Sequence, residues 1–382
     1  GSLPADQRFV WTVPGWPMGR ILGPDERFVP ERLETAGDSP RSMCLWPAQS
    51  SERRERILEA IRSGRLVWHA LPFTTHTESL ELEDVVRGLW FSSELSRALG
   101  MPLPLDAKMT DVPSHVWVLP TILSRAGVAF LHLGCNAAST PPEVPTLFWW
   151  EGPDGSRLLT MQSPRYGTDL VPPTDWPHAT WMALIHTGDN VGPPKPEDVQ
   201  RLLAEVAEKL PEVKVRMGRL SDFAEAILKE NPSLPVVRAD MPDTWIHGLL
   251  ASPMATASAR HWRPRICAAE ALHTLLSGWG VPAMGTIEDH VSLAYEQGLL
   301  YGEHTWGLNV KRFDPRLYGQ AWQEARSKGT YTPLEQSWAD HHAYAENVEA
   351  LVEPLLGGLV GRLASAVGVE GARIVVFNPL PW

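Results

Sequence analysis

One stretch of the chain, Lys108–Asn136, constrains its fold more than any other. It begins at the end of an apolar run, continues through a helical pattern that Gly127 closes, and finishes in the apolar run Val128–Leu133. A short apolar run is typical of a buried strand, and a glycine just past the last periodic residue is typical of a helix end. The stretch therefore predicts a strand–helix–strand unit with two parallel strands.

Two polar residues of this stretch, Asp111 and His115, follow directly after its first strand. In parallel α/β folds, catalytic and binding residues collect where the strands end. Asp111 is therefore a candidate catalytic residue. The local pattern leaves open the alternative that Asp111 only caps the helix that follows.

The composition excludes several classes of partner. Of the 382 residues, 43% are hydrophobic and 21% are charged, as in ordinary globular proteins. A net charge of −11 and the lack of a Lys/Arg-rich run argue against a nucleic-acid or membrane partner. The three cysteines (Cys44, Cys135 and Cys267) are too few for a disulfide framework, so we expect a cytoplasmic protein. The 17 tryptophans include candidate platforms for sugar rings.

Strand and helix patterns alternate through the first two thirds of the chain. Strand patterns cover residues 9–13, 66–71, 128–133, 180–186, 213–217 and 235–239, and 147–162 has the pattern of a β-hairpin. Helical patterns cover residues 51–63, 82–99, 195–210 and 221–230. This alternation predicts a mostly parallel sheet or a barrel.

The pattern changes after about residue 255. Three long helical patterns, Ala255–Ser277, Thr286–Tyr301 and Glu335–Ala366, predict a helical bundle with a domain boundary near Ser252. The last strand pattern, Arg373–Asn378, has no partner after it and predicts the first strand of a further domain.

Carboxylates and imidazoles recur at predicted strand ends and loops. They form five groups: His76 with Glu78, Asp111 with His115, His186 with Asp189, Asp240 with Asp243 and His247, and Glu303 with His304. Strand ends of one barrel converge, so these groups are candidates for a shared site. The mixture suits either a metal site or a carboxylate pair that cleaves a glycosidic bond, although each residue alone is more often structural.

At these residues the chain resembles glycoside hydrolase family 38, the α-mannosidase-like family, and in particular a bacterial branch with that family's N-terminal domain. The resemblance is carried by KMTDVPSHVWVLPTILSRAGVAFL, DMPDTWIHGLLAS, LLYGEHTWG and the terminal FNPLPW. It implies an α/β fold with three parts: a seven-stranded β/α barrel (1–252), a three-helix bundle (253–368) and the start of a β-sandwich (369–382). It also implies a retaining glycosidase with a carbohydrate substrate and a bound zinc ion. A homo-oligomer is left open.

The resemblance assigns roles to particular residues. Asp111 falls on the position that is both nucleophile and zinc ligand, and His304 falls on a zinc-binding histidine of the helical part. Asp189 lies in a turn similar to the one that supplies the acid/base catalyst, with Asn190 in place of a second aspartate. The expected substrate-binding residues are His76, Glu78, His115, Asp243, Trp245 and His247.

Two departures from the family pattern concern the zinc. The His-x-Asp pair of the family's first strand has no counterpart, and Thr305 stands where the family usually has aspartate. We expect that residues upstream of Gly1 have been removed. Two alternatives are that the protein binds no metal, or that His76 and Glu78 have replaced the missing ligands. For this chain we expect weak zinc binding and little hydrolysis. The rival functions are a metal-assisted carbohydrate deacetylase and a non-catalytic carbohydrate-binding protein.

Overall fold

The computed structural model describes residues 8–22, 50–186, 192–282, 285–307 and 317–380. Contacts within the chain divide it into two units. Unit 1 takes its described residues from 8–22, 50–78, 88–186 and 192–245. Unit 2 takes its described residues from 79–87, 246–282, 285–307 and 317–380. The three domain limits given above stay predictions.

The described strands of unit 1 form two sheets. In the smaller sheet, β1 (Trp11–Val13) pairs in parallel with β2 (Leu66–Trp68). The larger sheet contains β3 (Asp106–Met109), β4 (Phe130–Gly134), β5 (Leu147–Glu151), β6 (Arg157–Ser163) and β7 (Val236–Val237), in the order β3-β4-β6-β5-β7. Only β5 and β6 pair antiparallel in this sheet, because they form the hairpin predicted around Asp154. The sheet is therefore mixed, and closure of all seven strands into one barrel stays a prediction.

Six α-helices in the described part of the chain include residues of unit 1. They are α1 (Gly15–Leu22), α2 (Ser51–Arg62), α3 (Leu82–Leu99), α4 (Leu119–Arg125), α5 (Pro196–Lys209) and α6 (Leu220–Lys229), and α7 (His247–Leu250) belongs to unit 2. The βαβ prediction is confirmed, since α4 connects the parallel neighbours β3 and β4. Phe130 of β4 and Phe223 of α6 pack edge to face in the core of the large sheet.

Three predicted strands do not form among the described residues. Residues 180–186 have no regular structure. Several of their apolar side chains pack on the core. The Thr168 hydroxyl donates to the Met182 carbonyl and accepts from the Leu184 N–H, and these bonds take the place of pairing with a neighbouring strand. Residues 213–217 and 373–378 are irregular as well: Val213 and Ile374 are exposed, and Val375 and Phe377 pack against a helical core without forming a strand.

Unit 2 is helical in its described residues. Its remaining helices are α8 (Pro253–Gly278), α9 (Glu288–Tyr301), α10 (Gly319–Ser327) and α11 (Thr332–Ala366). Helices α8, α9 and α11 pack around a common core that contains Ile266, Val291 and Val348. None of the helices described in this chain has the length and apolar character needed to cross a bilayer.

Candidate functional site

The loops that follow β3, β4 and β6 bring three polar side chains together. Asp111 follows β3 by two residues, Asn136 follows β4 by two and Tyr166 follows β6 by three. Because β3, β4 and β6 are parallel neighbours, these loops leave the same edge of the sheet. Together with Lys108 and His132 on the strands themselves, these residues are called the Asp111 cluster below.

The carboxylate of Asp111 is held by two hydrogen bonds to one oxygen. Its Oδ1 accepts from Asn136 Nδ2 at 2.7 Å and from the Tyr166 hydroxyl at 2.7 Å. Asn136 is oriented for this contact because its Oδ1 accepts from the Ala138 backbone N–H at 2.9 Å. Asp111 remains half-buried. A fixed, partly accessible carboxylate at a strand end is the arrangement that a nucleophile or a substrate-binding group requires.

The backbone of Asp111 is in the left-handed region, with φ of +73°. This conformation costs about 1–2 kcal/mol for most residues, and aspartate and asparagine adopt it more readily than others. The turn is closed on both sides: Asn136 N–H donates to the Asp111 carbonyl, and the Thr110 N–H donates to Thr74 Oγ1. The surrounding loops therefore maintain a strained geometry at the residue that carries the carboxylate.

A row of polar groups lies behind Asp111, with Lys108 half-buried and His132 and Ser163 buried. Lys108 Nζ lies 2.9 Å from His132 Nδ1, and His132 Nε2 lies 2.9 Å from Ser163 Oγ. Burial lowers the pKa of Lys108 to about 7, with the Asp111 charge opposing this shift. Burial, and then the charge of Lys108, lower the pKa of His132 well below its usual value. The imidazole is therefore neutral and acts as a hydrogen-bond relay.

His186 reaches the same edge from the segment after β6. Its ring packs edge to face on Tyr166, with the ring centroids 6.0 Å apart. Gly167 permits this approach, because a Cβ there would lie 2.6 Å from His186 Cδ2 and 2.5 Å from the Leu184 carbonyl oxygen. Burial and the Lys108 charge lower the pKa of His186, so it is also neutral near pH 7.

A second polar group in unit 1 consists of His76, Thr77, Glu78, His115 and Asp243, called the His76 cluster below. His76 Nδ1 lies 2.6 Å from Asp243 Oδ2, and both side chains are fully buried. Asp243 is further fixed because Glu78 Oε1 accepts from the Asp243 N–H at 2.7 Å. The sequence placed these residues in three separate groups, and the structure brings them together.

His115 is buried within the His76 cluster. Thr77 Oγ1 accepts from the Val116 N–H at 3.1 Å and lies 3.1 Å from His115 Nδ1. His115 also forms a hydrogen bond with the backbone of Val112. The Nε2 atom of His115 is buried and has no hydrogen-bond partner among the described residues. Burial lowers the pKa of His115 to about 4, with a smaller effect of His76 in the same direction and of Asp243 against it.

Of the other predicted site residues, Trp245 contacts the His76 cluster, His247 belongs to unit 2 and Asp189 lies outside the described residues. Trp245 follows the His76 cluster, and its N–H donates to Asp243 Oδ1 at 2.8 Å. His247 is exposed on α7 of unit 2. The substrate-binding and catalytic roles assigned to all these residues stay predictions.

The predicted zinc ligands are Asp111 in unit 1 and His304 in unit 2. His304 Nδ1 lies 2.6 Å from Glu303 Oε1, an arrangement that orients a histidine toward a metal through its other nitrogen. These residue types suit zinc, but a zinc site normally has three or four protein ligands. No group of three or more His, Cys, Asp or Glu side chains in the described parts of the chain is placed to hold a metal ion. The described residues therefore do not make up a zinc site by themselves.

Sequence reasoning missed most members of the Asp111 cluster. Lys108, His132, Asn136 and Tyr166 were not among the predicted site residues. A simple signal was present: Asn136 and Tyr166 each lie within three residues of a strand that is parallel to β3. Finding it required the register of β4 and β6, which the sequence pattern did not supply.

No protein-family model and no curated protein matches the chain. Among solved structures, an α-mannosidase from Enterococcus faecalis V583 superposes with a TM-score of 0.60 and 15% identity, over 82% of this chain and 36% of that protein. This chain shares its fold with that α-mannosidase. A protein in glycosyl hydrolase family 38 from Enterococcus faecalis covers 79% of this chain and 33% of its own, with 14% identity and a TM-score of 0.44. The chain thus spans about a third of the length of each, and the likeness concerns the fold alone.

Proposed function

We propose that the chain is a retaining glycoside hydrolase of the α-mannosidase-like type, with Asp111 as its nucleophile. The observation that carries the proposal is the Asp111 carboxylate, fixed by Asn136 and Tyr166 at a strand end, in a fold shared with an α-mannosidase. The proposal includes the finer architecture given by the resemblance, in which the two sheets belong to one β/α barrel.

The proposed reaction has two steps. First, an Asp111 carboxylate oxygen forms a bond to the anomeric carbon, the glycosidic C–O bond breaks, and a protonated carboxyl group gives its proton to the leaving oxygen. Second, that carboxylate takes a proton from water, the water oxygen bonds to the anomeric carbon, and the bond to Asp111 breaks. Two inversions return the sugar to its original configuration.

Asp189 is the first candidate for the acid/base carboxyl group, with Glu78 in reserve. The support for Asp189 is that His186, three residues before it, packs on Tyr166, which binds Asp111. Glu78 is already engaged by the Asp243 N–H. A retaining pair requires about 5–5.5 Å between the two carboxyl groups. A crystal structure that includes residues 187–191 measures this distance, and a separation well above that range from both candidates rejects the assignment.

The nucleophile is tested by trapping it. The chain is assayed on a panel of aryl glycosides, with α-mannosides first, and is then incubated with a fluorinated glycosyl fluoride of the preferred sugar. We expect a mass increase of one fluoroglycosyl group, located on Asp111 by peptide mapping. Asp111→Asn is the matched variant, because asparagine tolerates the left-handed backbone and keeps an oxygen for Asn136 and Tyr166. Asp175→Asn, on an exposed turn of unit 1, is the control.

The outcomes separate the rival functions. An adduct in the wild type and in Asp175→Asn, but not in Asp111→Asn, supports the proposal. Release of acetate from acetylated sugars without any adduct favours a carbohydrate deacetylase. Sugar binding with neither reaction favours a non-catalytic carbohydrate-binding protein.

The zinc ion implied by the resemblance stays a prediction, with Asp111 and His304 as its predicted ligands. When bound, zinc would supply positive charge close to sugar hydroxyl groups. For this chain we expect zinc content well below one ion per molecule after dialysis, because the described residues offer two of the expected ligands. Elemental analysis of wild-type protein beside His304→Ala measures it, and a tightly held stoichiometric ion contradicts this expectation.

A further inference from the structure

Lys108 is a half-buried lysine within the Asp111 cluster, and the proposed reaction gives it no task. It lies on β3 directly opposite His132 of β4, so both side chains leave the same face of the parallel pair. Its Nζ lies 2.9 Å from His132 Nδ1 and 3.1 Å from the carbonyl oxygen of Tyr166. Removing an ammonium group from water is costly unless hydrogen bonds such as these two replace the lost water. The half-buried position of Lys108 therefore needs an explanation.

The charged form of Lys108 determines the direction of these hydrogen bonds. An ammonium group can only donate, so His132 Nδ1 accepts from Lys108 while the lysine is protonated. The His132 proton is then on Nε2, where it can donate to Ser163 Oγ at 2.9 Å. The position of Lys108 is therefore set by groups on β4 and β6, two strands of the same sheet.

Tyr166, in contrast, lies outside any strand. It belongs to residues 164–186, which contain no helix or strand. Two backbone features hold the start of this segment: Cys135 N–H donates to the Arg165 carbonyl at 3.2 Å, and Gly134 allows close approach, since a Cβ there would lie 3.1 Å from the Tyr166 carbonyl oxygen. The Lys108 side chain adds a hydrogen bond from the sheet to the Tyr166 carbonyl oxygen.

We propose that Lys108 is a positioning residue for Asp111: its hydrogen bond to the Tyr166 carbonyl sets the place from which the Tyr166 hydroxyl holds the Asp111 carboxylate. The catalytic part of this inference rests on the proposed function, in which Asp111 is the reacting group. Lys108 itself touches no reacting atom. It connects the rigid sheet to an irregular segment, and that segment to the carboxylate.

The test replaces Lys108 with methionine, which fills similar space without donating. Crystal structures of the wild type and Lys108→Met are compared, and kcat and KM are measured on the aryl glycoside that the wild type hydrolyses best. We expect the distance from Tyr166 Oη to Asp111 Oδ1 to increase from 2.7 Å to beyond about 3.5 Å, outside hydrogen-bond range. We expect kcat to fall about 100-fold with KM changed less than about threefold, as for a misplaced catalytic group.

Lys229→Met is the matched control. Lys229 lies on the exposed side of α6 and pairs with Glu225 at 2.8 Å, so its replacement should change neither the 2.7 Å contact nor the kinetics. Lys108→Gln is the milder second variant, used if Lys108→Met does not fold. Its amide can donate but is one bond shorter than the lysine side chain, so we expect the same displacement and loss of kcat to a smaller degree.

The proposal is overturned if the 2.7 Å contact persists in the folded Lys108 variants, or if the contact is lost and kcat does not change. A rise in KM at constant kcat also overturns it, because that result indicates a substrate contact. Absence of hydrolysis and of trapping in the wild type is a failure of the proposed function. The distance in the variant structures then decides the positioning role alone: displacement of Tyr166 supports it, and an unchanged contact rejects it.

Discussion

The Asp111 cluster and the His76 cluster contain the same types of group in different surroundings. Each contains carboxylate and imidazole side chains of unit 1. The carboxylate of Asp111 is half-buried, and its partners are an amide and a hydroxyl. The carboxylate of Asp243 is fully buried against His76 and accepts from the Trp245 N–H, while the Asp243 N–H donates to Glu78 Oε1. Residue type alone therefore does not separate a group suited to chemistry from one suited to stability, whereas burial and partners do.

Replacing Asp111 should have the largest effect on activity and a small effect on stability. For Asp111→Asn we expect kcat/KM on the best aryl glycoside to fall by at least about 10³-fold, because an amide cannot form the glycosyl-enzyme bond. We expect the free energy of unfolding to change by less than about 1 kcal/mol, since asparagine suits the left-handed backbone. Steady-state kinetics and urea unfolding measure the two quantities. Retention of more than a tenth of the activity would remove Asp111 from the mechanism.

Replacing Asp243 should give the opposite result. Asp243→Ala leaves His76 without its buried carboxylate and removes the acceptor for the Trp245 N–H. Breaking a buried pair in this way costs about 3–5 kcal/mol. We expect a loss of that size in urea unfolding, with kcat/KM of the folded protein reduced less than tenfold. Asp175→Ala is the control, and a large kinetic loss without a loss of stability would make Asp243 part of the reaction.

The contrast between the two clusters also explains what the sequence could predict. Periodicity located α3 at Leu82–Leu99 and placed α8, α9 and α11 within a few residues, because each buries one side of a long helix. Asp111 was found because it follows a strand within a recognisable βαβ unit. Lys108 and Tyr166 were missed because their roles depend on the pairing of β3, β4 and β6, which is a long-range property.

The predicted strand at residues 180–186 failed for a related physical reason. Its apolar run places Met182 in the core, with Trp181 and Leu184 packed against it, but no strand of the described chain pairs with it, and Ala183 is exposed. The apolar run therefore predicted the burial only in part and the geometry incorrectly. The same limit applies to the His76 cluster, where His76, His115 and Asp243 come from three loops whose meeting no local pattern indicates.

Removing the Tyr166 hydroxyl should have an intermediate effect. In Tyr166→Phe the Asp111 carboxylate loses one of two hydrogen bonds to Oδ1, while Asn136 keeps the other. A hydrogen bond to a charged group contributes about 1.5–3 kcal/mol, so we expect kcat to fall about 10- to 100-fold. The rate of trapping by the fluorinated glycosyl fluoride should fall in parallel. Tyr318→Phe, at an exposed tyrosine of unit 2, is the control, and equal rates for both variants would show that the hydroxyl does not assist Asp111.

The smallest expected effect concerns the pH dependence of stability, and it tests whether His115 stabilises the fold or binds the substrate. The folded-state pKa of His115 is lowered by burial to about 4, below the ordinary value of 6.5, so the unfolded chain binds this proton first as pH falls. The stability that depends on neutral His115 is therefore complete above about pH 6.5 and is lost between about pH 6.5 and 4, by about 1.4 kcal/mol per pH unit.

His115→Gln removes this titration, so the difference in pH dependence between wild type and variant isolates it from other buried groups. Urea unfolding at pH 5 and pH 6 measures that difference, and kcat/KM at pH 7 tests the substrate-binding prediction. A slope unchanged by the substitution, with a KM raised tenfold, would place His115 with the sugar-binding residues and erase the contrast between the two clusters.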